Sequence, residues 1–134
     1  MRSLASSCCM LIGSISFLLE ALLPDTAFKA RYGILCLATA STFACVAPSP
    51  GWLSSNLHAT GPAGVALGLA MTFAGPGSII GVWIYKPTES PGYFTGHMVN
   101  FAMQLLGMCT FMGLRIFYSR KNSRLPEGSR LWVL

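Results

Sequence analysis

The sequence predicts an all-α, polytopic membrane protein of about four transmembrane helices. Three observations predict it. First, no Asp, Glu, Lys or Arg occurs from Tyr32 to Tyr85. That stretch is long enough to cross a bilayer twice, because one transmembrane helix takes about 20 largely apolar residues. Second, the 134 residues are 53% hydrophobic and 10% charged, against roughly 25% charged in ordinary globular domains, and the mean hydropathy is +0.58. So few charges could not cover a water-facing surface. Third, the charges gather at the edges of the apolar runs, with Arg115, Arg120, Lys121, Arg124 and Arg130 all near the C-terminus.

Four segments are bounded by charge, Pro or Gly. The first, about 4–23, stops at Pro24-Asp25, where Pro disfavours helix in the preceding residue. It is longer than the usual signal-peptide core of about 7–15 residues, and no Ala-x-Ala-like cleavage site follows it. The second, about 32–53, carries a Pro48-Ser49-Pro50-Gly51 break near its end. The third, about 63–85, is glycine-rich and is expected to be interrupted at Gly75-Pro76-Gly77. The fourth, about 94–118, leads into a basic tail, 119–134.

An even number of spans puts both termini on one side, and the basic tail places that side in the cytoplasm. Arg2 agrees with this orientation. Lys29 and Arg31 then fall in an outer loop, offset by Glu20 and Asp25, while the inner loop, 51–62, has no basic residue. A net charge of +5 could suggest nucleic acid, but the cluster beside an apolar run reads as a membrane flank and no nucleic-acid partner is expected. The five cysteines, Cys8, Cys9, Cys36, Cys45 and Cys109, show no metal-ligand or disulfide spacing and read as small buried hydrophobes. Catalytic signatures are missing too, with no Ser/His/Asp set, HExxH or phosphate loop. An enzyme, a metal site and a cofactor are therefore not expected.

The order of motifs in the second half is specific. Trp52 and Asn56 form Trp-x-x-x-Asn, a Gly-rich helix follows, and then come Tyr85-x-Pro87 and Pro91-x-Tyr93-x-x-Gly96. The chain resembles the C-terminal part of fungal anion:cation symporters, the allantoate-permease-like branch of the major facilitator superfamily. The resemblance covers nearly the whole chain as the ninth to twelfth helices, a partial C-terminal half of that fold. It departs from the family before the eleventh helix, where Thr60-Gly61-Pro62-Ala63-Gly64 replaces a basic pair and His58 is the only ionisable group nearby.

The resemblance implies proton-coupled transport of a small organic anion, such as a carboxylate-bearing vitamin, ureide or nitrogen source, across the plasma membrane. The chain would be one part of that permease, with the lipid bilayer and a membrane chain supplying the missing helices as partners. A small membrane interaction or assembly protein, and a non-functional truncated permease, are the alternatives. Substrate binding is assigned to Thr39, Thr42 and Asn56, ahead of Asn100 and Gln104, because by resemblance the tenth and eleventh helices line the cavity. Gly75, Pro76 and Gly77 are the candidate hinge, since Pro76 removes one helix hydrogen bond and broken helices recur at transport sites. The pairs Gly64/Gly68 and Gly77/Gly81 have the GxxxG spacing of close helix packing. Glu20, the only acid inside an apolar segment, is expected to reach water near the outer surface, and His58 and His97 to be interfacial.

Overall fold

A computed structural model describes residues 2–57, 61–126 and 132–133. His58, Thr60 and Arg130 lie outside the described residues, and of Arg2 only the backbone is described. The described chain is helical throughout its main elements: α1, Arg2–Leu22; α2, Phe28–Ala44; α3, Pro48–Asn56; α4, Gly61–Trp83; and α5, Phe94–Asn122. Four spans are long and apolar enough to cross a membrane, with α2 and α3 acting as one span, Phe28–Asn56.

Local chemistry sets the ends. Pro24 follows α1 closely and supplies a carbonyl to Ala27 N at 3.1 Å. Between α2 and α3, Val46 N bonds to Phe43 O at 3.0 Å in a tightened turn, and Pro48 opens α3. Proline fits a first helical position because the N–H it lacks would be unpaired there. Residues 54–56, beyond the expected end of the second segment, therefore continue the helix. Ser54 and Ser55 hydroxyls both donate to Gly51 O, at 3.1 and 2.7 Å.

The interruption expected at Gly75-Pro76-Gly77 is not a break, because α4 runs through it without losing helical form. Proline deletes one bond, and the adjoining Thr72 and Ser78 hydroxyls back-bond to Gly68 O and Ala74 O at 2.9 and 3.0 Å. The α4–α5 connection holds one 3-10 turn, Pro87–Glu89. Glu89 caps α5, accepting from Thr95 N at 2.8 Å and from the Thr95 hydroxyl at 2.7 Å. These bonds, the hydroxyl's first, hold its carboxyl below the usual carboxylate range.

The packing inverts that of a water-soluble bundle. Helix α1 lies between α5 and α2 and packs most extensively on α5. Its inward stripe is Ser3, Ser6, Ser7, Ser14, Ser16, Phe17 and Glu20, while Leu11, Ile12, Ile15 and Leu19 face out. Lipid is as apolar as leucine, so outward leucines lose nothing, and small inward residues let helices approach closely. Two reciprocal notches fix the α1/α5 register. Gln104 lies against Gly13, where a Cβ would sit 3.2 Å from its Nε2, and Met10 lies against Gly107, where a Cβ would sit 2.9 Å from its Sδ.

Of the cysteines only Cys45 is buried, and Cys8, Cys36 and Cys109 are exposed, which corrects the buried expectation for those three. An apolar thiol is as suited to an outward face as to an inward one. Helix α4 stands apart. It meets the other elements chiefly at α3, and Gly64, Gly68, Gly75, Gly77 and Gly81 have no atom within 4 Å of an added Cβ among the described residues.

Candidate functional site

Polar groups collect at three levels of the α1/α2/α5 bundle. At the Pro24 end, Glu20 on α1, Arg31 on α2 and His97 on α5 form a buried cluster. All three nitrogens of the Arg31 guanidinium donate. Nε donates to Glu20 Oε2 at 3.2 Å, Nη1 to Asp25 Oδ1 at 2.7 Å and Nη2 to Gly92 O at 2.8 Å. One side chain thus fastens α1, the α1–α2 turn, α2 and the α4–α5 connection together.

Glu20 is 2% exposed, which overturns the expectation that it reaches water. It lies on the stripe of α1 that faces α5 and α2, and the long Arg31 side chain bends inward to meet it. His97, expected at an interface, is 5% exposed. Its ring lies 6.2 Å from Phe17 and 5.5 Å edge-on from Tyr85. Tyr85 also crosses Tyr93 at 5.9 Å and accepts from Asn100 Nδ2 at 2.7 Å. Burial pushes the Tyr85 phenol above its ordinary range, the Asn100 bond opposes this, and the Glu20 charge adds to it. A cavity of about 400 Å³ opens among these groups, lined by Glu20, Asp25, Arg31, Tyr85, Tyr93 and His97 together with apolar residues of α2.

At mid-height, Gln104 Nε2 on α5 donates to the Thr42 hydroxyl on α2 at 2.5 Å. Thr42 in turn bonds to Ala38 O at 2.8 Å. Thr39 is exposed and bonds to Leu35 O at 2.8 Å. The opposite end carries an aromatic clamp. Asn56 is 2% exposed. Its Nδ2 donates to Trp52 O at 3.1 Å and Val133 O at 3.2 Å, and its Oδ1 accepts from Val133 N at 2.8 Å. Asn122 treats Trp132 in the same way, donating to its O at 2.9 Å and accepting from its N at 2.8 Å. Trp52 Nε1 adds a bond to Val133 O at 2.8 Å, and Trp132 stacks on Tyr118 at 5.1 Å beneath Lys121.

The three residues assigned to substrate are therefore not brought together. Thr42 lies at the α2/α5 contact, Thr39 on an open face, and Asn56 under the C-terminal residues. Gly75, Pro76 and Gly77 sit in the uncovered helix α4, away from all three levels. What the sequence reading missed is the Glu20–Arg31–His97 cluster. A signal for it existed: Glu20 ends the row Ser3, Ser6, Met10, Gly13, Phe17, Glu20, whose alternating steps of three and four mark a single helix face rich in small residues.

Over 98% of its length the chain is 42% identical to part of MFS transporter prlL of a fungal species, strain NRRL 50135. The chain spans 28% of that protein's length. No family model matches the chain. No solved structure matches it either.

Proposed function

From this likeness, which supports placing the chain in the major facilitator superfamily, we propose that it is the C-terminal portion of a proton-coupled permease for a small organic anion. The carrying observation is that similarity runs along nearly the entire chain, whose four membrane-capable spans agree with a transporter. Within the superfamily, the ordered Trp52/Asn56, Tyr85/Pro87 and Pro91/Tyr93/Gly96 pattern favours the anion:cation symporter branch and, with it, the plasma membrane. Transporters of this architecture hold substrate between two halves near the midplane and rock one half on the other. Helices outside this chain would supply the opposite wall. Thr39 and Thr42 would face substrate from the second span, and Gly75-Pro76-Gly77 would bend when the halves rock.

The uncovered glycines of α4, Gly64, Gly68 and Gly75 on one face and Gly77 and Gly81 on the other, favour the second reading, a membrane chain that works by pairing with another one. Close-packing helices use such faces. The two readings separate in one experiment. The complete open reading frame at this locus, and this chain alone, are expressed in cells lacking endogenous organic-anion permeases, and uptake of labelled carboxylates and ureides is followed at acidic and neutral pH. Uptake by the complete frame, faster at acidic pH, is the expected result. A locus encoding no further membrane helices, together with no uptake, rejects the permease and leaves the pairing protein.

A further inference from the structure

The Trp52-x-x-x-Asn56 motif has no chemical task in the transport reading. One helical turn apart on a single face of α3, its two side chains are buried, and both donate to the same carbonyl, Val133 O, at 2.8 and 3.2 Å. Asn56 Oδ1 also accepts from Val133 N at 2.8 Å. From α5, Asn122 accepts from Trp132 N at 2.8 Å and donates to Trp132 O at 2.9 Å. The backbone N–H and C=O of residues 132 and 133 are thus paired with side chains of two different helices. In an extended strand the N–H and C=O of one residue point to one side and those of the next to the other. Pairing first with α5 and then with α3 is what such a segment, laid between the two helices, presents. The two carboxamides stand in for sheet edges, and main-chain pairing of that kind is how strand addition binds peptides.

Side chains are read unequally. The Trp132 ring stacks on Tyr118 at 5.1 Å, and Lys121 Nζ lies 4.6 Å from its centroid. Trp52 meets Phe111 at 5.4 Å and Tyr118 at 5.8 Å, so an aromatic floor joins α3 to α5. Val133 is 37% exposed, and its hydrogen bonds all use its backbone. Such a site accepts any segment with an aromatic residue followed by a residue other than proline. Residues 132–133 belong to no helix or strand, so side-chain contacts hold them, and water can replace each such bond at modest net cost.

We propose that the α3/α5 end of the bundle is a backbone-reading peptide site whose exchangeable occupant is residues 132–133 of the same chain. Another segment of this chemistry enters only by displacing them. Trp132 lies ten positions after Asn122, and so short a connection gives the chain's own segment a high effective concentration. The site is thereby guarded by a built-in competitor. This holds for a pairing protein as much as for a permease.

The test uses the full chain in nanodiscs holding one copy each, and a fluorescein-labelled peptide of residues 129–134, Ser-Arg-Leu-Trp-Val-Leu, with binding read by anisotropy. The substitutions Trp132→Ala and Val133→Pro together open the site, because alanine cannot stack and proline has no N–H for Asn56. The peptide should bind the opened chain at least about tenfold more tightly than the parent chain, where the site is occupied. On the opened chain, a peptide carrying Val133→Ala should bind within about twofold of the original. Peptides carrying Val133→Pro or Trp132→Ala should bind at least about tenfold more weakly. Adding Asn56→Leu or Asn122→Leu to the opened chain should abolish binding. Equal binding to parent and opened chains overturns the proposal, since the chain's own segment then does not compete and a second copy's must be the occupant. Equal binding of the original and Val133→Pro peptides overturns it as well, because the backbone is then not read. The peptide variants leave the chain unchanged and keep the test decisive if the asparagine variants do not fold. Absent uptake by the complete frame, with peptide binding intact, would count against the permease reading alone.

Discussion

Arg31 is the residue on which the Pro24 end depends. Its partner Glu20 has a side chain only 2% exposed, and Arg31 itself is 11% exposed. Removing one member of a buried ion pair typically costs about 3–5 kcal/mol, because the other charge is left uncompensated. Arg31→Ala should therefore destabilise the chain by about that amount, and adding Glu20→Gln should recover more than half of the loss. Thermal unfolding of the single and double variants in detergent checks this, and equal losses in both would refute it. Asn56 is a second residue with a specific task, since its amide is matched to both backbone groups of Val133. Asn56→Leu is expected to loosen Val133, while Trp132 stays on Asn122 and Tyr118, at a cost of about 1–2 kcal/mol. Limited carboxypeptidase digestion should then be roughly tenfold faster than in the parent chain, in line with about 1.4 kcal/mol per factor of ten.

At the level of the helix, the α5 N-terminus and the α1/α5 interface carry separate expectations. Glu89 caps α5, and its carboxyl lies below the ordinary value because Thr95 donates to it. A group with a depressed folded-state pKa contributes stability above its unfolded pKa, about 4.3 for Glu, and loses it as pH falls through the lower folded value. Glu89→Gln should accordingly lower the melting temperature at neutral pH and have no effect once the pH lies well below that range. Two glycines predict a contrast. A Cβ at Gly96 would sit 2.7 Å from the Tyr85 ring, and one at Gly107 would sit 2.9 Å from the flexible Met10 thioether. The Tyr85 ring is held by Asn100, Tyr93 and His97, whereas a thioether can rotate away. Gly96→Ala should cost about 1–3 kcal/mol and Gly107→Ala clearly less, measured by the same thermal unfolding.

For the molecule as a whole, α4 is the long helix least covered by the others among the described residues. Its five described glycines face free space, and the chain spans 28% of its relative. If helices outside this chain cover α4, a cysteine placed at Gly68, with the five native cysteines replaced by alanine, should react with a lipid-soluble thiol reagent in this chain alone. It should react at least about tenfold more slowly within the complete frame, because a packed helix face excludes the reagent. Equal rates would show that α4 faces lipid in both.

The sequence by itself determined the solvent and the number of spans, because hydropathy over about 20 residues is a local sum that packing does not change. It also located the Pro48 break and the proline-bearing connection before α5. Only the tertiary structure decided what Glu20 and His97 do. Their distance from Pro24 and from the membrane edge is readable along the chain, and on that scale both look wettable. Burial instead depends on which face of α1 meets α5, on Gly13 and Gly107 letting those helices close, and on Arg31 reaching back across the turn. Asn56 shows the same limit, since its Trp-x-x-x-Asn spacing is visible in sequence while its partner lies 77 residues away. Hydropathy sums along the chain, whereas burial and charge pairing are settled by contacts between residues far apart in it.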